Sequence, residues 1–215
     1  MKTMSRLFAP AMFSLALATA WSPTSANAYQ EPRLQETIQL FRHASDSSAI
    51  EKTASEFQAM LEADPANPLL MAYAGASTAR LATTTIFPWK KMHYAEDGLA
   101  MLDKALPLSA QPANAMHGSV PVQLEVKFVA ANTFLAVPGF MNRAARGQKL
   151  LQDILSAPQY AQCPPDFRNA VALFAAKQAI ERKHADEARQ YLQTVIQNGG
   201  SQKAEAEQLL KGLSS

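Results

Sequence analysis

From residue 31 onward, apolar side chains recur every three or four positions, and no stretch alternates apolar with polar as a half-buried strand does. That period leaves helix-on-helix packing as the way to bury the apolar stripes. Leu34, Ile38, Phe41 and the neighbouring Leu40 form one stripe. Ile50, Ala54, Phe57 and Leu61 form a second, entered through the capping cluster Ser45-Asp46-Ser47-Ser48. The run Asp64-Pro65-Ala66-Asn67-Pro68 stops that helix and starts the next, an alanine-rich segment from Leu69 to Leu81. Tyr94 to Leu106 carries Leu99, Leu102 and Leu106 in register, and Val122 to Val137 is apolar on nearly every side, as a central buried helix is. Arg143 to Leu155, Phe167 to Arg182, Ala185 to Gln197 and Gln202 to Leu213 bring the expectation to nine helices, mostly in consecutive antiparallel pairs. The expected class is all-α, with residues 29–215 as a single domain.

The segment before residue 29 reads differently. Lys2 and Arg6 precede an apolar run from Leu7 to Ala20, and Ala26-Asn27-Ala28 puts small residues where signal peptidase needs them. Residues 1–28 are therefore expected to be a secretory signal cleaved after Ala28, with the remainder exported to a bacterial periplasm and no membrane span left after its removal. Lys2 and Arg6 are the only charged residues of that signal, so the formal charge of +2 belongs to it and the remainder is balanced. A balanced chain is not expected to bind nucleic acid. A single Cys excludes an intramolecular disulfide framework and a multi-Cys metal site, so stability must come from helix packing.

Small residues at repeat-like spacing refine the architecture. Between Asn169 and Gly200, small Ala176 is followed twelve residues later by Ala188, then by Leu192 and Val195, with Asp186-Glu187 opening the second helix. This stretch resembles a tetratricopeptide repeat (TPR), in which small residues let two helices approach and large ones fill the groove between pairs. Gly75, Gly98, Leu102 and Ala105 resemble a second repeat. Thr53, Phe57 and Met60, ending in Leu61-Glu62-Ala63-Asp64-Pro65, resemble part of another, and Gly147, Leu151 and Ile154 resemble a fourth. The resemblance implies a short α-solenoid with Gln202–Leu213 as its polar cap, and it extends to exported bacterial TPR-like proteins. The departures are plain: Gly75 and Gly98 lie 23 residues apart where the family has twelve, and Phe41 stands at a small-residue position.

The chemistry-bearing residues give little that points to catalysis. Cys163 precedes a helix N-terminus, a place that can lower a thiol pKa, but no base is paired with it by spacing. His93/Asp97 and His184/Glu187 have the spacing for two metal ligands and lack a third. Glu96/Asp97 and Asp186/Glu187 are expected at helix starts, where the dipole favours them. Phosphate-loop and nucleophile-elbow motifs are absent from the sequence, and no cofactor or metal is expected.

The segment that lengthens the second repeat stands out. It runs Thr83-Thr84-Thr85-Ile86-Phe87-Pro88-Trp89-Lys90-Lys91-Met92-His93-Tyr94, and a second interruption, Val137 to Arg143, carries Phe140. Both are expected between the helices of a pair, on one edge of the stack. Phe87, Trp89, Lys90, Lys91 and Phe140 are then candidates for one aromatic, basic patch that binds a protein or peptide. In the alternative, the aromatics turn inward and fill gaps between irregular repeats. The groove that the TPR resemblance implies would be lined by Leu69, Ala72, Ala76 and Arg80, and by Ala170, Leu173, Lys177 and Ile180. It is largely apolar. The first expectation is a non-catalytic adaptor or assembly factor of the cell envelope. A small-molecule or lipid-binding accessory protein of an envelope transporter is the alternative, and would need an apolar pocket under Val122–Val137. A hydrolase using Cys163 or a His–carboxylate pair is the other alternative.

Overall fold

The computed structural model describes residues 32–111 and 115–213; the expected signal lies outside them. Among the described residues there are nine α-helices: α1 (Pro32–His43), α2 (Ser47–Ala63), α3 (Pro68–Arg80), α4 (Pro88–Leu108), α5 (Val122–Ala136), α6 (Ala144–Leu155), α7 (Pro165–Glu181), α8 (Ala185–Asn198) and α9 (Lys203–Gly212). The protein is all-α. A two-residue hairpin, β1 (Met116–His117) with β2 (Val120–Pro121), precedes α5 and is too short to leave an alternation signal in the sequence.

The caps act as the sequence indicates. Asp46 accepts from the Ala49 amide at 2.9 Å and starts α2, while Asn67 accepts from the Leu69 and Leu70 amides with Pro68 at the first turn of α3. Gly199, at φ 72°, ends α8. One boundary differs. α4 begins at Pro88, two turns before the expected Tyr94, so most of the added segment is helix and Trp89, Lys90 and Lys91 sit on its first turn. Proline at the first helical position needs no amide partner, and its fixed φ suits the helix. Glu96 and Asp97 consequently lie well inside α4, so the helix-start account of that pair fails; Asp186 and Glu187 do lie in the first turn of α8.

Packing is densest within consecutive pairs: α3 with α4, α5 with α6, and α7 with α8. The closest approach is between α3 and α4. A Cβ on Gly98 would lie within 2.7 Å of Gly75 O, Ala79 N and Ala79 Cβ, so hydrogen alone fits there. α3 also packs on α5, and Asp103 of α4 takes Arg143 (3.0 Å) and Arg146 at the start of α6. The main core runs from Leu34 and Ile38 through Phe57, Leu69, Leu102 and Phe134 to Leu151 and Val171. A smaller one, with Leu173, Ala176, Leu192, Val195 and Ala206, seats α9 on α7 and α8. α9 buries only Ala206 among its residues and leaves a polar face to water. Leu40, expected in the first stripe, is exposed.

Candidate functional site

The helices do not close on one another completely. α1, α3, α5 and α7 surround a cavity of about 960 Å³, completed by the first turns of α4 and by a short 3-10 turn at Gly139–Met141. Its walls are mostly apolar: Phe41 and Ala76 on one side, Phe128 and Val129 of α5 on another, Phe167 and Phe174 of α7 on a third. Pro88, Lys91, Met92 and Phe140 line it too, and all four are exposed, so the cavity reaches the surface there. An apolar pocket under Val122–Val137, the feature that would support the small-molecule-binding alternative, is present, because α5 carries Phe128, Asn132, Thr133 and Ala136 toward the cavity beside its core residues.

The size decides what this space is. The space is open to solvent at its rim, so it is an open pocket of about 960 Å³ rather than a sealed void. A cavity of about 150 Å³ already accepts a benzene-sized guest, and ligand pockets run from roughly 300 to 1,000 Å³. Apolar walls bind water poorly, so an apolar guest gains what water cannot supply.

One wall carries a polar chain that the sequence did not disclose. Glu125 of α5 is 4% exposed; one carboxyl oxygen accepts from the Tyr73 hydroxyl of α3 at 2.7 Å and the other from His117 Nδ1 of β1 at 2.6 Å. His117 Nε2 in turn meets the Gln35 amide of α1. The chain thus ties α1, β1, α3 and α5 together behind the cavity wall, which Tyr73 and Glu125 help to form. Burial first, and then the charge of Glu125, hold the Tyr73 phenol well above its usual value, with Arg42 opposing. A signal existed: Glu125 is the one acid in a largely apolar helix, and a buried acid requires partners. Its partners, 8 and 52 residues away, were invisible to helical spacing.

The other candidates fall into place around this cavity. Ile86 is 84%, Phe140 68% and Trp89 66% exposed, so the aromatics do not turn inward to fill gaps. Phe87 lies against Trp89 with ring centroids 4.9 Å apart, and Lys90 stands over the Phe87 ring at 5.5 Å. Lys91 and Phe140 share the cavity mouth, which brings the two separate segments to one place; Phe87, Trp89 and Lys90 flank it without lining it. Of the expected groove residues, Ala76 and Arg80 line the cavity, while Leu69 and Ala72 are buried in the core. In α7 the register differs from expectation. Leu173 lies in the smaller core and Lys177 pairs with Glu205 of α9 at 2.7 Å, so Phe167 and Phe174 face the cavity instead. Arg80 is committed to the Phe41 and Ala44 carbonyls at the end of α1.

Comparison with protein-family models, with curated proteins and with solved structures gives no match. The remaining chemistry is quiet. Cys163 is buried, its thiol donates to the Gln159 carbonyl at 3.4 Å, and burial pushes its pKa up, opposite to the lowering that its place before α7 would allow. His93–Asp97 (3.2 Å) and His184–Glu187 (3.3 Å) are exposed pairs on single helices. Among the described residues no group of three or more His, Cys, Asp or Glu is placed to hold a metal ion.

Proposed function

We propose that this protein is an exported, non-catalytic binding protein that holds a small apolar ligand in the cavity beneath α5. The observation that carries this reading is an open pocket of about 960 Å³ with mostly apolar walls, a size that ligand pockets have, with one buried polar element, Tyr73–Glu125, on its wall. The TPR-like reading accords with it. The first helix of each consecutive pair, α1, α3, α5 and α7, faces the cavity, as the concave side of a short helical stack would have them, and Gly75, Gly98, Ala176 and Ala188 are buried at the helix contacts. Export rests on the leader-like sequence of residues 1–28. A binding role suits the site better than a hydrolytic one, since the only thiol is buried and inward-bonded.

The test is native mass spectrometry of the protein purified without detergent, together with uptake of an apolar fluorescent dye. A bound small molecule, or dye uptake, that disappears in Val129→Trp supports the reading; a ligand-free protein that takes up no dye refutes it. The expected adaptor role draws its support from the exposed side chains of the Ile86–Trp89 segment and Phe140.

A further inference from the structure

The most exposed large apolar side chains among the described residues are Ile86, Phe140 and Trp89; Ile86 and Trp89 flank Phe87 in the segment that leads into α4, and Met92 of α4 and Phe140 both line the open rim of the cavity. Their exposure is built in. Pro88 sets the helix start, Phe87 and Trp89 support each other's rings, and Phe140 projects from the 3-10 turn closed by Asn142, whose left-handed φ of 54° holds it there. Solvating a large apolar side chain is unfavourable, so such a cluster marks a surface that meets something apolar. Along the chain the charges of this segment are of one sign: Lys90 and Lys91 lie on the first turn of α4, the sequence carries no acid between Asp64 and Glu96, and Glu96 and Asp97 follow two turns along α4, where Asp97 is engaged by His93.

From this we infer that the mouth is a docking surface for an anionic lipid bilayer, with Trp89, Phe140 and Ile86 entering the headgroup region and Lys90 and Lys91 meeting the lipid phosphates. Amphipathic aromatics with lysines are the composition that sits at a membrane–water interface. The cavity gives the second reason, and this step rests on the ligand-binding reading above. Pro88, Lys91, Met92 and Phe140 belong to both the cluster and the cavity wall, so an apolar guest leaving a docked bilayer enters the protein without crossing water. A protein partner would use the same apolar residues but would not require anionic lipid.

Cosedimentation with vesicles tests the inference. The processed protein should bind vesicles of phosphatidylcholine containing phosphatidylglycerol, bind pure phosphatidylcholine vesicles far less, and release as salt rises. Lys90→Gln should weaken binding on the order of fivefold, the contribution of one lysine near an anionic surface, and Trp89→Ala should weaken it at low and at raised salt alike. Neither residue lines the cavity, so dye uptake in both variants should match the wild type, and circular dichroism should show unchanged helix content. Val129→Trp separates the two readings: it should lose dye uptake and keep vesicle binding. Equal binding to both vesicle types, no vesicle binding, or binding untouched by Trp89→Ala overturns the inference. So does a protein crosslinked in envelope extracts by the wild type and lost in Trp89→Ala when vesicles are not bound.

Discussion

Replacing Gly98 by Ala sets two effects against each other, and the structure decides the sign. In an exposed helix interior Ala is more favourable than Gly by about 1 kcal/mol. At position 98 the added methyl would sit within 2.7 Å of Gly75 O, Ala79 N and Ala79 Cβ, of which two are backbone atoms that no rotamer change can move. Carbon contacts are optimal at about 3.5–4.0 Å, so α3 and α4 must part by roughly 1 Å, which forfeits a quarter to a half of the attraction across the most intimate contact in the fold. Overpacking of a fitted contact costs about 1–3 kcal/mol and more where backbone must shift. Against the helix gain, the net expectation is a loss of about 2 kcal/mol. For a domain of this size that lowers Tm by roughly 4–8 °C. Thermal unfolding followed by far-ultraviolet circular dichroism is the assay, with two comparisons. Gly147→Ala meets the Leu135 side chain and, at 3.2 Å, Phe134 Cβ rather than the backbone of another helix and should lose less, and Gly212→Ala meets nothing within 4 Å and should change little. A Gly98→Ala protein as stable as the wild type, or more stable, would refute the close approach of α3 and α4.

Glu125→Ala should destabilise by about 2–5 kcal/mol, since the Tyr73 hydroxyl and His117 Nδ1 lose their acceptor inside the fold; urea unfolding with an unchanged m-value checks it, and a loss below about 1 kcal/mol would show the chain to be dispensable. The buried phenols make stability fall at high pH. Tyr73 is held well above its ordinary value and Tyr160 is pushed up to about 12, both chiefly by burial, so the neutral forms stabilise the fold below the unfolded value and that contribution is lost as pH rises through the folded values. Ultraviolet titration should show the phenolate of buried Tyr73 appearing together with loss of helix, and its ionisation in an intact fold would contradict the burial. Cys163 should react with a thiol reagent only as the protein unfolds, because burial raises its pKa and its thiol donates to Gln159; rapid stoichiometric labelling of the native protein at neutral pH would contradict this.

Helix count, caps and most boundaries could be read from residues alone, because each depends on neighbours within a few positions: the stripe of Ile50, Ala54 and Phe57, the Asp46 cap, the Asn67-Pro68 start. The start of α4 escaped because Pro88 looks like a breaker until the following turns are known to be helical. The aromatic and basic residues around Trp89 were legible as a cluster, and Phe140 as a second interruption. That Lys91 and Phe140 line one cavity is decided in three dimensions, by where α4 and the turn after α5 lie around it. The cavity itself and the chain from Gln35 through His117 and Glu125 to Tyr73 belong wholly to the tertiary structure. Periodicity tells which face of a helix leaves water. It does not tell whether that face meets another helix or an open space, because a side chain such as Phe128 or Val129 is apolar in either setting and only the placement of α3, α5 and α7 around it distinguishes core from binding site.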